Sequence, residues 1–160
     1  MRVLAIDPGC AESAYVIMYA DFRPLEFGKV KNDIMRDIVK KESVARMAQV
    51  VVEMISSYGM PVGREVFETC VAIGRFVEIA GDAKLVSRAE VKLHVCGSAR
   101  AKDGNIRTAL IDRFATHDLK NGKGTKKNPD WFYGFRADVW QAYALAVTHI
   151  DRIGLKEERK

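Results

Sequence analysis

The sequence predicts an α/β domain: a mixed five-stranded sheet, three antiparallel strands followed by parallel ones, flanked by helices. Three observations carry this. Residues 2–7 form an almost continuous apolar run, as in a strand buried on both faces, and Pro8-Gly9 stops it. Two further strand-like segments, 14–19 and 25–30, are joined by a short polar turn around Asp21, which suits an antiparallel meander and is too short for a crossover. Beyond residue 32 helical and extended segments alternate, the order that produces parallel crossovers.

The remaining elements follow in order. A mixed helical stretch from about 32 to 47 precedes the apolar run 49–55, read as the fourth strand. Pro61 is placed to start a helix in which Val66, Cys70, Ile73 and Val77 recur at helical spacing, with Gly81 as its stop. Residues 84–87 make a short fifth strand, and Asp103 stands where it would cap a helix carrying Ile106, Leu110 and Phe114 on one face. Asp138 opens the last helix, marked by Trp140, Ala144 and Val147. No repeat or linker divides the chain, so residues 1–160 read as one domain, long enough to bury a core.

Composition narrows the function classes. The chain is 48% hydrophobic with a mean hydropathy of −0.12, fitting a soluble cytoplasmic protein; no apolar run reaches the ~18 residues of a membrane span and no signal-peptide core is present. Cys10, Cys70 and Cys96 are odd in number and widely spaced, and read as reduced thiols rather than a zinc or disulfide framework. The net charge of +5 and pI near 9.2 point to a polyanionic partner. Lys120, Lys123, Lys126 and Lys127 fall within eight positions, interleaved with Gly122 and Gly124 and followed by Trp131-Phe132-Tyr133.

Three carboxylates stand out. Asp7 ends the first strand, where ligands gather in α/β sheets; its plainer reading is a turn residue before Pro8-Gly9. Glu53 sits inside Val50-Val51-Val52-Glu53-Met54-Ile55, a costly place for a charge unless it is paired, binds a cation or points out from an edge strand. Asp138 is either a ligand or a charge favoured at a helix N-terminus. Glu65 and Glu68 lie on the polar face of their helix, which solvation explains. Hard carboxylates without a His or Cys cluster suit Mg²⁺ or Mn²⁺, and two such ions roughly 3.5–4 Å apart would activate a water and stabilise the leaving oxygen of a phosphodiester. His149, eleven residues and about 16 Å along the helix from Asp138, reads as a surface or core histidine.

The segments Ala5-Ile6-Asp7-Pro8-Gly9, Val51-Val52-Glu53-Met54 and Asp138 followed by Ala144-Leu145-Ala146-Val147-Thr148-His149 together resemble the RuvC-type Holliday junction resolvases of the ribonuclease H-like (integrase-like) nuclease superfamily. Residues 57–63 and 122–129 look like features of the phage-encoded branch, and the resemblance covers nearly the whole chain in matching order. It implies the ribonuclease H-like sheet and a homodimer that resolves four-way junctions and related branched DNA with two Mg²⁺ ions, or Mn²⁺ in their place, leaving 5′-phosphate and 3′-hydroxyl ends. By motif, Asp7 bridges both ions while Glu53 and Asp138 each complete one. The family's fourth acid, one helical turn after Asp138, is Gln141 here, an oxygen donor without charge. Asp103 and Asp130 are alternative fourth acids.

Lys120, Lys123, Lys126 and Lys127 are candidate phosphate contacts, with the glycines allowing close backbone approach, or else a flexible solvated loop; Arg100 and Lys102 are further candidates. Trp131, Phe132, Tyr133 and Phe135 either stack on unpaired bases or belong to the core, the latter expected for at least two. The apolar stripe of the 62–80 helix either forms the dimer interface or packs on its own sheet. A branched-DNA-binding module that has lost catalysis, with Gln141 as the lesion, is the alternative to an active nuclease. An actin-like phosphotransferase would need a second phosphate loop and a longer chain.

Overall fold

The computed structural model describes residues 1–157. Its sheet has five strands in the order β3-β2-β1-β4-β5: β1 (Arg2–Asp7), β2 (Glu12–Tyr19), β3 (Pro24–Lys31), β4 (Gln49–Met54) and β5 (Ala83–Ser87). β1, β2 and β3 form the antiparallel meander, and β4 and β5 add in parallel, as the sequence predicts. Helix α1 (Asn32–Lys40) carries the crossover to β4 and α2 (Arg64–Ala80) the crossover to β5. Then follow α3 (Arg88–Cys96), α4 (Asp103–Phe114) and α5 (Val139–Glu157).

Side chains alternate across the sheet. Leu4, Ile6, Ile17, Val50 and Val52 face Met35 and Val39 of α1 and Ala72, Ile73 and Phe76 of α2. Val3, Ala5, Ala14, Val16 and Val51 face the other way, onto Tyr143, Leu145 and Val147 of α5 and the aromatic pair Phe132 and Phe135. Each large side chain so buried contributes about 1.5–3 kcal/mol. Residues 139–150 are all buried, because α5 is covered by the sheet on one side and by α3, α4 and the 131–135 segment on the other. Among the described residues no helix is long and apolar enough to cross a membrane.

Several local expectations change. The 32–47 helix stops being α-helical at Lys40 and ends in a π-helical turn, Lys41–Ala45, which carries Glu42 into the interior to pair with Arg2. α2 begins at Arg64 rather than Pro61, after an extended Gly63. It is rotated from the expected stripe: Thr69, Ala72, Ile73 and Phe76 are buried, while Cys70 is exposed. Phe76 is fully buried against the sheet on that face, whereas Phe67 on the same helix is exposed. Lys102, not Asp103, is the residue before α4, and its N–H donates to Asn105 Oδ1 at 2.8 Å. Helix α3 has no apolar periodicity to announce it, yet Ser87 and Glu90 form a reciprocal capping box and Gly97 closes it at φ 72°.

Candidate metal centre

Parallel register aligns the ends of β1 and β4. Ile6 pairs with Val52, so Asp7 and Glu53 stand one step further on, both on the face that receives α5. In the same row Asp7 pairs with Ala14 and Ala14 with Lys29. The turn after Asp7 is pinned: Gly9 N donates to Ser13 Oγ, Ser13 Oγ to Asn32 Oδ1, and Asn32 Nδ2 back to the Gly9 carbonyl. Asp138 immediately precedes α5, its carbonyl accepting from Gln141 N at 3.0 Å and Ala142 N at 3.1 Å. Ala137 before it holds φ 37°, a strained conformation that fixes how the chain enters the helix.

Three separate elements thus deliver Asp7, Glu53 and Asp138 to one end of the sheet, with Gln141 one turn along α5. The electrostatics report their proximity. Burial, then the Glu53 charge, and further down the Asp138 charge push the Asp7 carboxyl up to about 7, against the opposing pull of Arg88 and Lys29. Glu53, 4% exposed, is also raised by burial, with Arg88 pulling it back.

Two cations tie up the acids. Arg88, the first residue of α3, places Nη1 2.8 Å from Glu53 Oε1 and 4.0 Å from Asp7 Oδ1, while Nη2 reaches Asp103 Oδ2 at 3.1 Å. Lys29 Nζ lies 2.6 Å from Asp138 Oδ2. With the acids so engaged, no group of three acidic, His or Cys side chains among the described residues is arranged to hold an ion as it stands. The donor set nonetheless fits a hard cation. Glu53 Oε2 and Gln141 Oε1 are buried oxygens without a hydrogen-bond partner, and burial together with the Glu53 charge disfavours an ionised Asp7 that a cation would stabilise. A cleft of about 300 Å³ borders Glu53, Arg88 and Lys92; a roomier one of about 570 Å³, lined by Met1, Phe22, His94 and Asp151, touches none of the three acids.

The solved structure of Thermus thermophilus RuvC matches this chain with a TM-score of 0.65 at 19% identity, covering 96% of this chain and 97% of that one. T. thermophilus RuvC in complex with Holliday junction substrate matches with a TM-score of 0.64 at 17% identity and 96% coverage of each. The chain has the RuvC fold. These neighbours carry the RuvC-type likeness and not its phage-encoded branch. No protein-family model and no curated protein sequence matches the chain.

Against the RuvC fold, the remaining candidates sort as follows. Asp130 is no fourth ligand: its buried carboxylate accepts from the N–H groups of Thr116, His117, Asp118 and Trp131 and from the Thr116 hydroxyl, which hold it far below the usual range. Asp103 does reach the site, through Arg88. The basic loop is tied by backbone hydrogen bonds. Asp130 N donates to Lys123 O, Phe132 N to Gly122 O and Thr125 N to Asn128 O, a small hairpin with Lys126 and Lys127 exposed at its tip. Its glycines are required by that fold: both have positive φ, and a Cβ on Gly124 would meet Asn128 O at 2.3 Å. Lys120, Arg100 and Lys102 are exposed and Lys123 is half-buried. Phe132 and Phe135 are core, Trp131 is half-buried under Arg23 and bonded to Tyr143, and Tyr133 is exposed. His149 is buried and bonded to Gln49.

Sequence reasoning missed Arg88 and Lys29. Arg88 carries a signal, since it follows the capping serine at the end of β5, beside β4. Lys29 carries none before the β2–β3 register is known.

Proposed function

We propose that this single ribonuclease H-like domain is a cytoplasmic, divalent-metal-dependent endonuclease that hydrolyses phosphodiesters in four-way junctions and related branched DNA as a homodimer. The observation that carries the reading is the convergence of Asp7, Glu53 and Asp138, from β1, β4 and the start of α5, on one end of the sheet beside two buried, unpartnered oxygens. The RuvC fold supports it, one solved neighbour being in complex with Holliday junction substrate.

Asp7, Glu53, Asp138 and Gln141 would hold Mg²⁺ or Mn²⁺. Bound there, the ions supply Lewis-acid stabilisation of the charge developing on the phosphodiester oxygens and a water of lowered pKa. Asp7 shares its charge between neighbours on both sides; Glu53 and Asp138 flank it. Lys120, Lys123, Lys126 and Lys127, with Arg100 and Lys102, contribute phosphate contacts that position the DNA without reading sequence. A two-fold pair of such chains presents two sites, as symmetric nicking of a junction requires.

The test is incubation with synthetic four-way, three-way and linear DNAs in Mg²⁺, Mn²⁺ or EDTA. Cleavage of branched DNA in metal alone is expected. Junction binding that never proceeds to cleavage in either metal would instead favour a binding module, a reading the Arg88–Glu53 pair and Gln141 lend some weight. Two variants refine the picture. Gln141→Asp adds a charge to the donor set and should maintain or raise cleavage at low Mg²⁺; a strong loss would give Gln141 a role of its own. Replacing Lys126 and Lys127 by alanine should lower the slope of log affinity against log salt by roughly 2, measured by anisotropy, whatever the DNA sequence.

A further inference from the structure

Arg88 stands where an ion between Asp7 and Glu53 would have to go. A Mg²⁺ bound by both carboxylates needs an oxygen from each at about 2.0–2.1 Å. The guanidinium Nη1 already lies between them, 2.8 Å from Glu53 Oε1 and within ion-pair reach of Asp7 Oδ1 at 4.0 Å. It does not leave by losing its proton, since a guanidinium stays charged at any physiological pH. It can leave only by moving. Lys29 on Asp138 is a weaker obstacle, because both side chains are nearly half exposed and such pairs contribute little.

The structure also provides somewhere for Arg88 to go. Its second nitrogen already touches Asp103 at 3.1 Å, and the Asp103 side chain is 58% exposed where that of Glu53 is buried. We propose that Arg88 is a tethered competitor of the divalent ion, resting on Glu53 in the metal-free protein and retreating to Asp103 when the ion binds. The inner position neutralises a buried carboxylate that would otherwise be strongly destabilising, and the outer position keeps the guanidinium paired once the ion does so. Asp103 thereby favours metal loading without touching the metal. This rests on Asp7 and Glu53 being ion ligands.

Direct Mn²⁺ binding to the DNA-free protein, read by electron paramagnetic resonance of the free ion, tests it without reference to cleavage. Arg88→Gln, which keeps a hydrogen-bond donor for Glu53, should tighten Mn²⁺ binding on the order of tenfold or more. Asp103→Asn, at an exposed position that leaves the fold intact, should weaken binding several-fold in the parent and have little effect in the Arg88→Gln background. Unchanged or weaker binding in Arg88→Gln overturns the proposal, as does an Asp103→Asn effect of equal size in both backgrounds. Should Arg88→Gln fail to fold, Asp103→Asn decides alone, unchanged or tighter binding counting against the proposal. No Mn²⁺ binding by parent or variants removes both this inference and the metal-dependent reading beneath it.

Discussion

Asp7→Asn is expected to melt at a higher temperature than the parent in EDTA at pH 8, while its Mg²⁺-dependent cutting of a four-way junction collapses. The folded chain ionises Asp7 near 7 and the unfolded chain near 3.8. Between those values the folded state holds the extra proton, so the parent loses stability as pH rises through that window. Below about pH 4 both states are protonated and the substitution is close to neutral. Above 7 the full penalty applies, and removing the charge restores on the order of 2–4 kcal/mol. Cleavage should fall by at least about 10²–10³-fold, the scale of losing one electrostatic contributor to a transition state. A parent and variant that melt alike at pH 8 would mean that neither burial nor the neighbouring Glu53 charge penalises an ionised Asp7. Retained cutting would remove Asp7 from the chemistry.

Asp130→Ala should be among the most damaging changes in the chain although Asp130 does no chemistry. Its carboxylate accepts from five donors on Thr116, His117, Asp118 and Trp131 and ties the end of α4 to the entrance of the aromatic core. Alanine leaves those donors without an acceptor in a place water reaches poorly, at a cost of roughly 3–5 kcal/mol. Guanidinium denaturation should show the drop in midpoint, and the amides of 116–118 should lose protection from exchange first. Junction affinity should fall with it, since the hairpin that carries Lys126 and Lys127 depends on the same anchor. An undiminished midpoint would show that solvent replaces the carboxylate at no cost.

What could be read from the sequence is what local pattern encodes. The runs 2–7 and 49–55 announce strands, each carries one acid out of keeping with its neighbours, and Asp138 stands where a helix begins. Because side chains alternate along a strand, the registers that bury Val3, Ala5 and Val51 also bring Asp7 and Glu53 to one face. The partners of these acids were hidden because they depend on strand pairing. Arg88 meets Glu53 across 35 positions and Lys29 meets Asp138 across 109. The rotation of α2 escaped for a different reason: Val66, Cys70 and Val77 have the right spacing, but so do Thr69, Ala72, Ile73 and Phe76, and spacing alone does not choose between the two overlapping stripes. The stiffness of the 120–132 segment was masked by its composition, since glycines and lysines read alike whether a loop is ordered by a buried aspartate or not.

The central position of α5 sets an order of events during synthesis. β1, β2 and β4 leave the ribosome early and offer an apolar face whose main cover, α5, is made last among the described elements, with Asp138 at its leading end. A nascent chain therefore carries Asp7 and Glu53 before it carries Asp138, so the acidic donor set is complete only once this last described helix docks.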